Sequence, residues 1–371
     1  MIYRIGNMVV KEFIQYVRDP LLTAFLILLP LLQLVLMAQA TGRHMEGFPL
    51  AVLDYDRSPL SRSLVTAVEN TPELETCCYP EDMAALRRLL DEGRATAGLI
   101  IPAGFAATFA HPNRAPQVQI VADASNDVAG STALRAAEGA INDFVRRQMA
   151  RRREGERGRV DLRATVRFNP TFNFRDYTIP AQVGFIVYQV TLAVASLGLA
   201  RERELGTLEQ LLVTPMRRFE LITGKAIPAI LIGLVDFLLL LPLTFWGFKV
   251  PLRGSLGLLL GLSFLFVVAE TGWGILLSSI ARTQQQAILY VFVVAMTEIA
   301  FAGYLVPVEN LPTLLRFIAQ LSPLQHYLAI LRSVMLKGTP LSLLWPRALA
   351  LVGLGVGIGL VALLSVQHRL D

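Results

Sequence analysis

Charge is scarce in this sequence: of 371 residues only 17% are Asp, Glu, Lys or Arg, while 54% are hydrophobic. The mean hydropathy of +0.51 is too high for a soluble protein of this length, so a membrane protein is the default class. Histidine and cysteine are nearly missing, with four and two residues. His44, His111, His326 and His368 show no metal-ligand spacing, so no metal site is expected. Cys77 and Cys78 are adjacent; neighbours in a strand point to opposite faces, so they read as small buried hydrophobes without a mutual disulfide. No glycine-rich loop ends in Gly-Lys-Ser or Gly-Lys-Thr, since Gly224-Lys225 continues into Ala226, and no serine or cysteine stands in a nucleophile elbow. No catalytic residues are therefore expected. The net charge of +5 does not indicate nucleic acid, because the basic residues cluster beside apolar runs.

What is present is a series of long apolar segments. Residues 1–20 alternate apolar positions (Ile5, Met8, Val9, Phe13, Tyr16) with Arg4, Lys11, Gln15 and Arg18 at helical spacing, which predicts an amphipathic connector helix on the inner leaflet, facing membrane lipid headgroups. Residues 21–41 are long enough to cross the hydrocarbon core at ~1.5 Å per residue. Ala38-Gln39-Ala40 resembles a signal-peptidase site, but the apolar run is longer than a signal core, so an uncleaved anchor is expected. Further spans are expected over Ile179 to Ala200, Leu221 to Phe248, Leu256 to Ile280, Ala287 to Leu305 and Leu343 to Val366. Arg4, Lys11, Arg18, Arg201, Arg203, Arg217, Arg218, Lys225, Arg282 and Arg369 flank them on one side; only Lys249, Arg253, Arg316, Arg332 and Lys337 fall on the other. That bias places both termini in the cytoplasm of a multi-pass protein.

Residues 42–177 have the composition of a soluble domain. Strands are expected at Leu50 to Asp54, Leu74 to Tyr79, Ala97 to Ile101, Val118 to Ala122 and Val160 to Phe168. Helices are expected at Pro59 to Glu69, Glu81 to Glu92, Gly104 to Ala110 and Val128 to Arg153. The fold class expected is thus an α-helical integral membrane protein of six transmembrane helices, with an inserted extracytoplasmic α/β domain. Within residues 178–371, the stretch 306–338 is broken by Pro307, Pro312 and Pro323. It reads as two short outer-leaflet helices, the first capped by Asn310 and the second ended by Gly338.

One polar insertion separates the second and third spans: RERELGTLEQLLVTP, Arg201 to Pro215. Thr207 and Gln210 have capping-box spacing, so a helix should start near Thr207, with Glu209 at its positive end and Pro215 as its stop. An ordinary surface helix would satisfy the same pattern. RERELGTLEQLLVTPMRRFELITGK, together with PLRGSLGLLL, LLSSIARTQQQA and SPLQHYLAILRSVMLKG, resembles the permease subunits of type-2 ABC exporters in the order that family shows. The resemblance implies a cytoplasmic coupling helix within 201–218 that docks on a separate ATPase. It also implies that ATP and Mg are bound by that partner and that a second permease subunit, identical or paralogous, completes the pathway in a bacterial inner membrane. The residues it puts forward for coupling are Glu202, Glu204, Gly206, Thr207, Glu209, Gln210, Thr214 and Pro215. A periplasmic membrane-fusion adaptor could dock on the outer domain.

Three acids lie deep in the apolar runs: Asp236, Glu270 and Glu298, ~15 to 21 Å from the cytoplasmic ends. No Lys or Arg matches them in depth, and a bare carboxylate there costs several kcal/mol. They either line a polar pathway for a cationic amphiphile, with Gln189 beside them, or are protonated and hydrogen-bonded between helices. An alternative function, proton-coupled secondary transport, would use these acids without an ATPase, but leaves the coupling segment without a purpose.

Overall fold

The computed structural model describes residues 1–42, 47–111, 116–123, 125, 127–152, 174–213, 217–304 and 308–370. In chain order its elements are α1 (Ile2–Arg18), α2 (Pro20–Gly42), β1 (Phe48–Asp54), α3 (Pro59–Glu69), β2 (Leu74–Cys78), α4 (Met83–Asp91), β3 (Ala97–Ile101), α5 (Phe105–Ala110), β4 (Gln119–Ala122) and α6 (Asp127–Arg152). Then follow α7 (Phe174–Glu204), α8 (Leu208–Val213), α9 (Arg218–Pro242), α10 (Leu256–Ile280), α11 (Gln284–Phe301), α12 (Thr313–Ala319), α13 (Pro323–Arg332) and α14 (Leu341–Leu370). The chain forms two compact units, Met1–Gly42 with Val166–Asp371, and Arg43–Thr165.

Among the described residues of the first unit six helices are long and apolar enough to cross a membrane: Pro20–Thr41, Arg175–Glu204, Phe219–Gly247, Leu256–Ile280, Gln284–Phe301 and Leu341–Val366. Their burial is unequal, and that ranks them. In α7, 83% of the most apolar stretch is buried, against 17% in α2, α11 and α14, so α7 is the axis on which the others pack. Small residues allow the closest approach. Gly274 of α10 meets α7 so tightly that a Cβ there would lie 2.3 Å from the Ala195 side chain and 3.0 Å from the Leu192 carbonyl oxygen. One turn on, the buried Ser278 hydroxyl accepts from the backbone N–H groups of Leu199 (2.8 Å) and Ala200 (3.0 Å).

Helix starts follow side-chain capping. Asp19 accepts from Leu22 N at 3.1 Å ahead of α2, Thr283 from Gln286 N ahead of α11, and Ser322 from Gln325 N ahead of α13. Asn310 does not cap the first helix of the stretch 306–338 as expected. It closes a single 3-10 turn, Val308–Asn310, and α12 begins only after Pro312. The reason is that a residue preceding proline, here Leu311, is pushed out of helical conformation. A π-type turn, Ser333–Lys337, extends α13 to Gly338, whose φ of 67° ends it.

Among its described residues the second unit has a four-stranded sheet in the order β2-β1-β3-β4, with β1 parallel to both neighbours and β4 antiparallel to β3. Alternation along β1 sends Leu50 and Val52 to a core with α3, α5 and α6, and Ala51 and Leu53 to a second core with α4. The strand expected at Val160 to Phe168 lies outside the described residues. The cysteines are not the buried pair expected. Among the described residues β2 is the edge strand of the sheet; Cys77 on it is exposed and Cys78 half-buried, and the two are joined to each other.

Candidate functional site

The end of α7 turns through a Schellman motif into α8. Gly206 N–H donates to the Arg203 carbonyl at 3.2 Å and Thr207 N–H to the Glu202 carbonyl at 2.9 Å, while Gly206 adopts φ 70°. Nothing lies within 4 Å of a Cβ built on Gly206, so conformation, and not space, is what glycine supplies there. In α8, Leu208 is buried with Met8, Leu199, Leu221 and Ile275, and Leu211 packs against the same cluster. Glu209 and Gln210 face outward. Thr214 and Pro215 lie outside the described residues.

Two expected roles change here. Thr207 acts as a donor: its hydroxyl bonds the Glu202 carboxylate, a stronger acceptor than any neutral group nearby. Glu202 is not at the surface either. It is 1% exposed, and its Oε1 accepts from Lys11 Nζ at 2.6 Å and Lys225 Nζ at 2.7 Å. Lys225 in turn donates to Glu12 Oε1 at 2.5 Å, with Glu12 4% and Lys225 5% exposed. Two acids and two bases so neutralise one another where α1, the end of α7 and the start of α9 meet. Burial, and after it the Glu12 carboxylate, holds the nearby Tyr16 phenol well above its usual range.

Around this centre Arg203, Glu204 and Glu220 are also tied. Arg203 donates to the Ser279 and Ala281 carbonyl oxygens at the end of α10, and Glu204 accepts from Gln284 N (2.9 Å) and Nε2 (3.0 Å) at the start of α11. Glu220 accepts from Arg217 N at 2.8 Å and pairs with Arg4 of α1 at 3.7 Å. Met8 of α1 rests on Gly224 of α9, where a Cβ would lie 2.7 Å from its Cγ.

Reasoning from sequence missed Glu12 and Lys225. The available signal was spacing: Met8, Glu12 and Tyr16 stand four residues apart on one face, so a lone acid interrupts an otherwise apolar stripe.

The intramembrane acids are divided by the fold. Glu270 is 1% exposed and neither of its oxygens has a hydrogen-bond partner among the described residues. It lies within electrostatic reach of Glu298 and of the buried Tyr188 hydroxyl, which also lacks a partner there. Glu298 is half-buried and accepts from Ser322, the cap of α13, which joins α11 to α13. Asp236, 4% exposed, sits on α9 with Oδ2 unpartnered among the described residues. Gln189 accepts from Gln33 of α2 at 3.4 Å, and Gln182 accepts from Tyr304, so both act as bonds between helices.

The sequence matches the family described as ABC-2 family transporter protein over residues 21–364. It is 28% identical over 347 residues to the probable multidrug ABC transporter permease YbhR of Escherichia coli (strain K12), covering 93% of each chain. It is 26% identical to the probable multidrug ABC transporter permease YbhS, over 99% of this chain and 98% of that one, and 30% identical to the inner membrane transport permease YhhJ, over 99% and 97%, both from the same organism.

Proposed function

The chain belongs to the ABC-2 family of transporter proteins, and from that premise we propose that it is the membrane permease subunit of an ATP-driven exporter. Two permease subunits and two separate ATPase subunits, which bind ATP and Mg, make up the working assembly. It sits in a bacterial inner membrane with both termini cytoplasmic, residues 42–177 outside and residues 306–338 at the outer leaflet. The cargo is hydrophobic or amphiphilic, with cationic drug-like compounds included, in keeping with the multidrug descriptions of YbhR and YbhS. The outer α/β unit gates the exit or docks a periplasmic adaptor.

The observation that carries this reading is the placement of α8: a short helix with Glu209 and Gln210 outward, directly continuing the most enclosed helix of the unit. Closure of the ATPases on ATP pushes α8; the Schellman turn and the Glu202 ion pairs pass the push to α7, α9 and α1 together. Glu204, Glu209 and Gln210 offer polar contacts to the ATPase, while Glu202 and Thr207 hold the lever to its base. Such a device is a two-state switch that nucleotide biases. Asp236, Glu270 and Glu298 line or border the cargo pathway.

Everted membrane vesicles incubated with a fluorescent amphiphile test the reading. Uptake that stops on ATP depletion and survives collapse of the proton gradient supports it. The reverse pattern supports proton-coupled transport.

A further inference from the structure

The pairing of β2 with β1 slips at one point. Leu50 lies opposite Thr76 and Ala51 opposite Cys78, so Cys77 is an extra residue in β2 without a partner across the ladder. In a regular strand adjacent side chains point to opposite faces, which keeps neighbouring sulfurs apart. A bulge lifts that constraint by bending the strand and re-aiming the residues on either side of it. Here it falls on the chain's two cysteines, on the edge strand of the sheet among the described residues, and their sulfurs meet. Cys77 is exposed, while Cys78 is half-buried and packs against the cluster of Ala51, Leu53, Leu86, Ala95 and Ile100. One sulfur is therefore open to reagents, and the other is backed by an apolar wall.

We propose that Cys77 and Cys78 form a single two-sulfur site on the second unit, which as a dithiol chelates a soft trivalent ligand of the arsenical class and as a disulfide is closed. An organoarsenic oxide surrenders its oxygen as water with the two thiol protons, and two As–S bonds form without electron transfer. Closing runs by thiol–disulfide exchange. The exposed Cys77 thiolate attacks a low-molecular-weight or protein disulfide, Cys78 displaces the second sulfur from the mixed disulfide, and the partner leaves as two thiols carrying both electrons. That the site rests in the closed form depends on the extracytoplasmic reading of this unit, since disulfides persist in oxidising compartments. Chelation by the reduced chain does not depend on it, so the two can fail separately.

The test uses the full chain, isolated in its native membrane without reductant, with maleimide uptake read by mass spectrometry of the peptide around Cys77. No maleimide is expected before reduction, two after it, and none when phenylarsine oxide follows reduction; dimercaptopropanol should restore both. Cys77→Ser and Cys78→Ser should each take one maleimide after reduction, even when phenylarsine oxide was added and washed out. Reduced wild-type protein that still takes two maleimides after the arsenical overturns the chelating site. Maleimide uptake before reduction overturns the closed form. Both of these outcomes are measured on the wild-type chain, so a serine variant that fails to fold does not decide them.

Discussion

Glu202 Oε1 and Lys225 Nζ lie 2.7 Å apart at a point where neither residue keeps more than 5% of its surface exposed. They flank α8 in sequence, so α8 is closed at its base by one buried ion pair. A buried pair is weak evidence for net stability, because desolvating two charges offsets their attraction; what it supplies is a fixed geometry. With Lys11 and Glu12 joined to it, any shift of the end of α7 must move α1 and α9 with it or break charged hydrogen bonds.

Removing the central cation should be severe. Lys225→Met leaves the Glu12 and Glu202 carboxylates buried with one base fewer, a change worth about 3–5 kcal/mol. A melting midpoint several degrees lower is expected by scanning fluorimetry in detergent. The triple variant Glu12→Gln, Glu202→Gln, Lys225→Met should regain most of that loss and still transport poorly, because the geometric tie is gone. A Lys225→Met chain as stable as wild type would contradict the network.

Gly206 is the hinge of the turn, and its φ of 70° costs an L residue about 1–2 kcal/mol. Gly206→Val should therefore lower nucleotide-coupled transport strongly with the chain still inserted, whereas Gly206→Asn, a residue that tolerates the left-handed region, should retain most of it. Equal activity of the two variants in vesicle transport would show that the turn is not strained by a side chain.

For the intramembrane acids, the grouping of Glu270 with Glu298 and Tyr188 sets an order of effects. Asp236→Asn, Glu270→Gln and Glu298→Gln together should reduce export of cationic compounds more than of neutral ones. The Glu270→Gln, Glu298→Gln pair should account for most of that difference, and Asp236→Asn alone for little. Equal loss for cationic and neutral cargo would sink a role in cation selection.

Much of this architecture is legible in the sequence, and the exceptions have a common cause. A run of about 20 apolar residues has few fates other than a span, and the alternation of Leu50 and Val52 with Ala51 and Leu53 marks a strand covered on both faces. The Glu12–Lys225–Glu202 centre is not local: its members are 213 and 23 residues apart, and only packing of α1 on α9 brings them together. Thr207 and Gln210 do have capping-box spacing, yet a buried carboxylate claimed the threonine hydroxyl. The cysteines illustrate the same limit, because a bulge at Cys77 is set by the register of β1, which adjacency in sequence does not reveal.

The most direct measurement is co-purification of the chain from its native membrane in mild detergent, read by mass spectrometry and ATP hydrolysis, with wild type and Glu209→Arg side by side. Glu209 is exposed on α8 and reversal of its charge leaves the buried network intact. A Walker-type ATPase recovered with wild type and lost with Glu209→Arg is the expected result. Recovery of the chain alone, with transport indifferent to ATP depletion and abolished by collapse of the proton gradient, would contradict the exporter reading and move Asp236, Glu270 and Glu298 to the centre of the mechanism.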